Sequence, residues 1–399
     1  MSKVQQRKKS LFEKIIPLGI PLAWLQLASE SKRFAVALAG ITFAVAMMLF
    51  QMGLQTALYK QVVGPILLLD GEVMVVSPHY EYFGVGRGFA NVTLHQCKAI
   101  PEVEQANSVR LGCGSFKNVQ DGIERDIFLI AFDPTRNVFL SDDIKLQQNL
   151  LKKDGDVLFD SLSRSQYGDV VGAFKKNGKV RTEIAGQKSD VAGLIKIGPT
   201  FAADGNVLMS LSTLERFWSH TPAGITDVGV LKLRKGADPK DVANRLKKVL
   251  PQSMKVFTKD EFVKSEKAYW GERTPIGFVI GASMAVAIFV GAVIVYQILY
   301  TDVSDHIPEY ATLKAIGFGD SFFVGIIIQE SFILSLLGFI PGALLAEILY
   351  VMTREIAGMP TYMSINSLLV VFGLSLSMCV IAGLLATRKL RNANPADIF

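Results

Sequence analysis

Charge-free stretches divide the chain more sharply than any motif does. Between Arg33 and Lys60 no charged residue occurs, and Phe34–Leu54 is almost continuously apolar. A second uncharged run lies between Arg273 and Asp302, opening at Pro275. Two more apolar runs follow, from about Phe322 to Val351 and from Ser367 to Thr387, closed by Arg388. A bilayer core asks for about 20 apolar helical residues. The pattern therefore predicts four membrane spans, at 34–58, 275–301, 321–352 and 367–387. Pro275 suits the first turn of its helix, where a missing N–H costs nothing. The first run is too long for a signal peptide and lacks a small-residue cleavage site, so it is read as a retained anchor.

The segment 59–274 has another texture. Short apolar runs at Val73–Ser77, Ile127–Phe132, Asp156–Phe159, Asp190–Ile197 and Val228–Leu233 read as strands. Asp142–Lys152, Asp238–Leu250 and Lys259–Trp270 read as helices. Asp238 is a natural N-cap with Pro239 in the first turn. Roughly 215 residues of this kind make one sizeable mixed α/β domain or two small ones. Phe83–Phe89 is glycine-rich and reads as a mobile loop. Phe257, Phe262, Tyr269 and Trp270 approach the second span and read as interfacial anchors. The helix ending at Trp270 runs almost directly into that span.

Half of the 399 residues are apolar, too many for an ordinary soluble protein and too few for a chain lying wholly in lipid. The net charge of +6 would fit nucleic-acid binding, but its distribution argues against that. Lys3, Arg7, Lys8, Lys9, Lys14, Lys32 and Arg33 precede the first span, and Arg388, Lys389 and Arg391 follow the last. Basic flanks stay inside. This places 1–33, 302–320 and 388–399 in the cytoplasm, and 59–274 and 353–366 outside. The expected fold is an α-helical membrane protein with four transmembrane helices and one mixed α/β extracytoplasmic domain. Leu18, Leu22, Trp24, Leu25 and Ala28 share a helical face before the first span and predict an amphipathic helix on the inner leaflet.

Catalytic chemistry is not legible. Cys97, Cys113 and Cys379 form no CxxC pair, and His79, His95, His220 and His306 have no metal-ligand spacing. A Cys97–Cys113 disulfide and two separate thiols stand as equal alternatives. Neither GxSxG nor HExxH occurs. Gly172 to Lys179 imitates a P-loop but has five residues between its glycines, and Val180 stands where Ser or Thr should hold Mg²⁺. No catalytic, cofactor or metal site is expected in this chain, and any ATP use is assigned to a partner.

The inner loop is the most distinctive stretch. Pro308 and Glu309 can open a short helix, Asp305 lies near its start, and Gly317 can cap its end. Tyr310, Leu313 and Ile316 fall on one face. Asp302–Asp320 carries four acids against one lysine, Lys314. Spacing alone favours an ordinary interfacial turn over a docking helix. Within the third span, Glu330 reads equally as an interhelical hydrogen-bonding group and as a carboxylate near the inner headgroups. Gly338, Pro341 and Gly342 break that span, as a packing kink or a hinge. Small residues such as Ala35, Ala39, Gly277, Gly281 and Gly291 allow close helix approach, within one chain or at a dimer seam.

Glu309 to Gly317 resembles the coupling element of the FtsX/MacB class of ABC-transporter membrane subunits. That class has four spans, a large outer domain after the first, and a coupling helix between the second and third. Ile20–Leu27, Ala203–Asn206, Asp227–Gly229, Tyr296–His306, Gln329-Glu330, Gly338–Gly342, Arg388–Arg391 and Asn394–Phe399 resemble the DevC-type subunits of glycolipid exporters more closely. Pro308 departs from the class, which carries Arg before the Glu. The resemblance implies a MacB-like (type VII) permease of the inner membrane. It implies a homodimer, a separate ABC ATPase that binds ATP and Mg²⁺, a periplasmic membrane-fusion adaptor and a TolC-like outer-membrane channel. It implies ATPase coupling through Asp302, Asp305, His306, Pro308, Glu309, Tyr310, Leu313, Lys314 and Gly317. The FtsX-like alternative is a regulator of periplasmic cell-wall hydrolases.

Overall fold

The computed structural model describes residues 31–392, apart from Gly86, 201–202, 219–222, 309–311 and 314–315. The N-terminal amphipathic helix lies outside the described residues. The chain divides into two compact units, Leu58–Gly277 and the remainder.

Four long helices, Ser31–Leu67, Pro275–Asp305, Asp320–Ala357 and Ile365–Asn392, carry the apolar runs. Each is long and apolar enough to cross a membrane. They are called helices 1 to 4 below. Helix 1 continues nine residues beyond the expected 58, through Gly64 and Pro65, because the apolar pattern resumes at Val62, Val63 and Ile66. In the span unit, glycines mark where backbones press together. A Cβ on Gly338 would lie 2.5 Å from Ile41, and one on Gly342 2.8 Å from Val45. A Cβ on Gly53 would enter the Tyr350 ring. Gly291 faces Ala44 and Met378, so this small residue packs helix 2 against helices 1 and 4 of its own chain. Gly281 has open space around it. Hydroxyls supplement the packing. Ser335 bonds Ser375 at 2.7 Å, Ser331 donates to the Cys379 carbonyl at 3.1 Å, and Tyr350 donates to the Leu49 carbonyl.

The inserted unit is a mixed α/β domain. Its strands are β1 (Val73–Val76), β2 (Phe89–Ala90), β3 (Val103–Lys117), β4 (Glu124–Phe132), β5 (Asp156–Asp160), β6 (Val180–Ile184), β7 (Gln187–Ile195), β8 (Asn206–Ser210), β9 (Ile225–Thr226), β10 (Val228–Leu233) and β11 (Lys255–Thr258). Nine form one sheet in the order β11-β1-β10-β3-β4-β8-β5-β7-β6. β6 also pairs back on β3 at Phe116 and Ile184, closing the last six strands into a ring. β4 is buried on both faces, which explains its near-continuous apolar run. Ile127, Leu129 and Ala131 face one core, and Phe128, Ile130 and Phe132 face another. All five expected strands are present, with ends shifted by a few residues. β3 has no strand signal in the sequence, because Asn107, Ser108 and Arg110 interrupt its alternation.

Helix Pro239–Val249 starts as expected, with the Asp238 side chain accepting from the Lys240 N–H at 2.9 Å. The Asp142 helix is α-helical only to Gln147 and continues as a 3₁₀ turn over Gln148–Lys152. Lys259–Ala268 opens on a capping box between Thr258 and Glu261, then widens into a π-turn over Tyr269–Arg273. The P-loop look-alike is a helix, Val170–Asn177, ended by Gly178 in the left-handed region, and Lys179 pairs with Asp156 at 2.9 Å. Cys97 and Cys113 are free thiols, Cys97 buried and Cys113 exposed.

Candidate functional site

The loop joining helices 2 and 3 assembles in the span unit. Helix 2 ends at Asp305 and a turn at His306 follows, so Asp305 closes one helix as well as preceding the next. Ile307 and Pro308 restart helical geometry. Glu309, Tyr310 and Lys314 lie outside the described residues. The Thr312 hydroxyl donates to the Pro308 carbonyl at 2.9 Å, and the Ile316 N–H donates to the Thr312 carbonyl at 3.1 Å. Gly317 has φ +107°, and the Phe318 N–H reaches back to the Leu313 carbonyl at 3.1 Å. This is the long bond of a Schellman stop, with glycine at the left-handed position. Leu313 and Phe318 complete its hydrophobic contact by packing on Val303, Phe323 and Ile327.

That packing splits the expected apolar face. Leu313 turns toward the helix ends, whereas Ile316 is 70 % exposed. Asp305, Pro308, Thr312 and Gly317 are exposed as well. The loop thus offers a short, capped, mixed surface with an apolar residue in its middle. Sequence reading did not single out Ile316 as outward, since its spacing from Leu313 fits one face of a regular helix. Asp302 belongs to helix 2.

The other candidates sit elsewhere in the same unit. Glu330 is 0 % exposed, enclosed by helices of this one chain. Gly338, Pro341 and Gly342 lie in an uninterrupted helix 3, and helix 1 presses against the two glycines through Ile41 and Val45. The Thr42 hydroxyl lies 3.4 Å from the Gly338 carbonyl. Glu347 pairs with Arg354 at 3.0 Å, and Arg354 also donates to the Thr361 carbonyl at 2.6 Å.

A second cluster, in the inserted domain, has no sequence signal. Glu266 is 1 % exposed. Its Oε1 accepts from the Tyr80 hydroxyl at 2.5 Å and from the Phe83 N–H at 3.0 Å. Burial lifts its carboxyl to about 7, against the hydrogen bonds from Tyr80 and Phe83, which favour the charged form. The glycine-rich loop is therefore fastened at Phe83. Tyr82 stacks on Tyr269 and meets Trp270 edge-on. Phe262 is fully buried in the domain core and Trp270 is also buried, so neither is an interfacial anchor. Nearby, Lys259 donates to the carbonyls of Leu67 and Leu69 at 3.0 and 2.6 Å, capping the end of helix 1 where the dipole favours a cation. Burial pulls its ammonium below the ordinary lysine range.

Among the described residues, no cluster of His, Cys, Asp or Glu could hold a metal ion. The chain presents four apolar helices, an inserted α/β domain and a short loop between helices 2 and 3. Residues 281–395 match the FtsX-like permease C-terminal family. Over 95 % of its length the chain is 21 % identical to an uncharacterized ABC transporter permease of Methanocaldococcus jannaschii, covering 96 % of that protein. It is similar to the periplasmic region of MacB from Actinobacillus actinomycetemcomitans, at 11 % identity and TM-score 0.32, covering 49 % of this chain and 93 % of that one. It is also similar to the extracellular domain of the transporter YknZ from Gram-positive bacteria, at 13 % identity and TM-score 0.30, covering 47 % and 99 %. The match to a permease family falls on a unit of four apolar helices that carries an inserted α/β domain.

Proposed function

We propose that this chain is the membrane subunit of an ABC exporter that works by mechanotransmission. A separate ATPase binds ATP and Mg²⁺ and docks on the loop 302–320. The spans carry its motion to the outer domain, which drives a periplasmic adaptor and a TolC-like outer-membrane channel. The chain itself catalyses nothing and acts as a homodimer in the inner membrane, with both termini cytoplasmic. The cargo is a glycolipid, as for the DevC-type subunits it resembles, or another amphiphile.

The permease-domain match over 281–395 carries this reading, because it covers the loop between helices 2 and 3 as well as helices 3 and 4. The exposed Ile316 and the acidic balance of the loop supply a contact of the right size and sign for a basic groove. Glu309 is the proposed salt-bridge partner, Asp302, Asp305, His306, Tyr310 and Lys314 flank it, and Leu313 and Gly317 hold the loop's shape. Glu330, Gly338, Pro341 and Gly342 are proposed to set the helix packing through which motion passes.

Affinity purification of the tagged full chain in mild detergent tests the reading. An ATPase and a membrane-fusion adaptor are expected among the partners. Recovery of a murein hydrolase with no adaptor would replace export by hydrolase regulation. Glu309→Lys is expected to reduce the co-purified ATPase, and undiminished recovery would remove Glu309 from the contact.

A further inference from the structure

We propose that the outer domain carries a groove for an anionic membrane phospholipid, with Met254, Phe257 and Ala268 receiving an acyl chain and Lys247 and Lys264 its phosphate. The groove is a shallow, open depression of about 710 Å³ between helix Pro239–Val249, strand β11 and helix Lys259–Ala268. That is within the usual range for a small-molecule site. Its lining combines an apolar floor, to which Val256 also contributes, with a polar rim.

The rim is charged in one sense. Lys247, Lys255 and Lys264 face a single acid, Glu261. That acid is engaged, since its Oε2 accepts from the Thr258 N–H at 2.9 Å in the capping box. Lys255 is held in place by donating to the Tyr80 carbonyl at 2.9 Å. Lys247 and Lys264 are exposed and form no salt bridge among the described residues. An apolar trough under exposed ammonium groups that outnumber the acid suits a ligand with an alkyl body and an anionic head.

Two observations select a lipid over a peptide. β11 is the outermost strand of the sheet and pairs only with β1, which would invite strand addition. It is only four residues long and begins with a lysine, both devices that discourage edge pairing. The groove is also close in sequence to an apolar helix long enough to cross a membrane. Ala268 precedes Pro275, the first residue of helix 2, by seven positions. Even fully extended, that connection spans no more than about 25 Å.

The inference needs the apolar helices to lie in a bilayer and does not depend on the proposed partners. The test uses the full chain in phosphatidylcholine nanodiscs doped with phosphatidylglycerol bearing a diazirine on an acyl chain. After photolysis, adducts are mapped by peptide mass spectrometry. Adducts are expected on peptides within 252–268, and unlabelled phosphatidylglycerol, but not phosphatidylcholine, should compete them away. The exposed double variant K247E/K264E should lower labelling there by roughly tenfold or more, as expected for basic groups at an anionic surface. Phe257→Asp should lower it through the floor instead. Labelling of the four spans is an internal control for membrane insertion. Labelled spans with an unlabelled groove would overturn the proposal, as would equal labelling by a diazirine phosphatidylcholine. Cross-links from β11 to a second protein chain would overturn it in favour of strand addition.

Discussion

The inserted domain and the span unit bury polar groups in different proportions. In the inserted domain, several charges are taken inside. Arg110 and Asp227, 5 % and 3 % exposed, pair at 3.5 Å, and Asp227 also accepts from the Leu111 N–H at 2.8 Å. Burial nevertheless raises the Asp227 carboxyl, the largest of the competing influences on it. Asp160 accepts from the N–H groups of Ile197 and Gly198 and from the Asn206 amide, at 3.0, 2.8 and 2.8 Å. In the span unit, charge enters at Glu330 and at the Glu347–Arg354 pair, and the helices otherwise meet through hydroxyls on carbonyls or on each other and through glycines under neighbouring side chains. Lipid tails are as apolar as the helix surfaces, so burial gives helices little reason to associate. Close packing and short hydrogen bonds must do so. The sheet domain has a large hydrophobic driving force, which can offset the desolvation of a few charges.

The contrast predicts a graded series of effects. The largest belongs to Arg110→Met, which strands Asp227 as an uncompensated buried carboxylate. A loss of about 3–5 kcal/mol is expected, read as a lower unfolding temperature of the inserted domain in detergent. A variant as stable as the parent would show that the pair contributes nothing net.

Glu266 comes next. The folded chain holds its proton more tightly than the unfolded chain, because burial lifts the carboxyl from 4.5 to about 7. The associated stabilisation is complete below about pH 4.5 and is lost as pH rises toward 7. Its size is on the order of 3 kcal/mol. Glu266→Gln keeps an acceptor for Tyr80 and Phe83 and cannot ionise. It should flatten the pH dependence of unfolding in this window and raise stability above it. A slope identical to the parent's would refute the assignment.

In the span unit, Gly338→Val drives a side chain into Ile41. Overpacking of this kind costs about 1–3 kcal/mol and should appear as lower yield of folded chain from detergent. Ser335→Ala, which removes the 2.7 Å bond to Ser375, should cost least. About 0.6 kcal/mol is typical of an interhelical hydrogen bond in a membrane, and a loss several times larger would mean that hydroxyls outweigh glycines here.

Legibility followed the same division. Spans can be read from sequence because a bilayer forbids charge over a fixed length, which is a local property. The loop between helices 2 and 3 is legible in part. Gly317 stops its helix as expected, yet Ile316 turned outward, because the Schellman stop and the packing of Leu313 and Phe318 fix the rotation of that turn. The strands with uninterrupted apolar runs were legible, whereas β3, carrying Arg110 in its interior, was not.

By itself the sequence determined the four apolar helices, the inserted α/β domain and the place of the connecting loop, since each rests on local pattern. Only the tertiary structure decided that β6 closes on β3, that Glu266 and Tyr80 meet across 186 positions, and that Gly338 and Gly342 lie beneath helix 1. These pairings depend on which distant surfaces come together, and hydropathy along a chain carries no record of that.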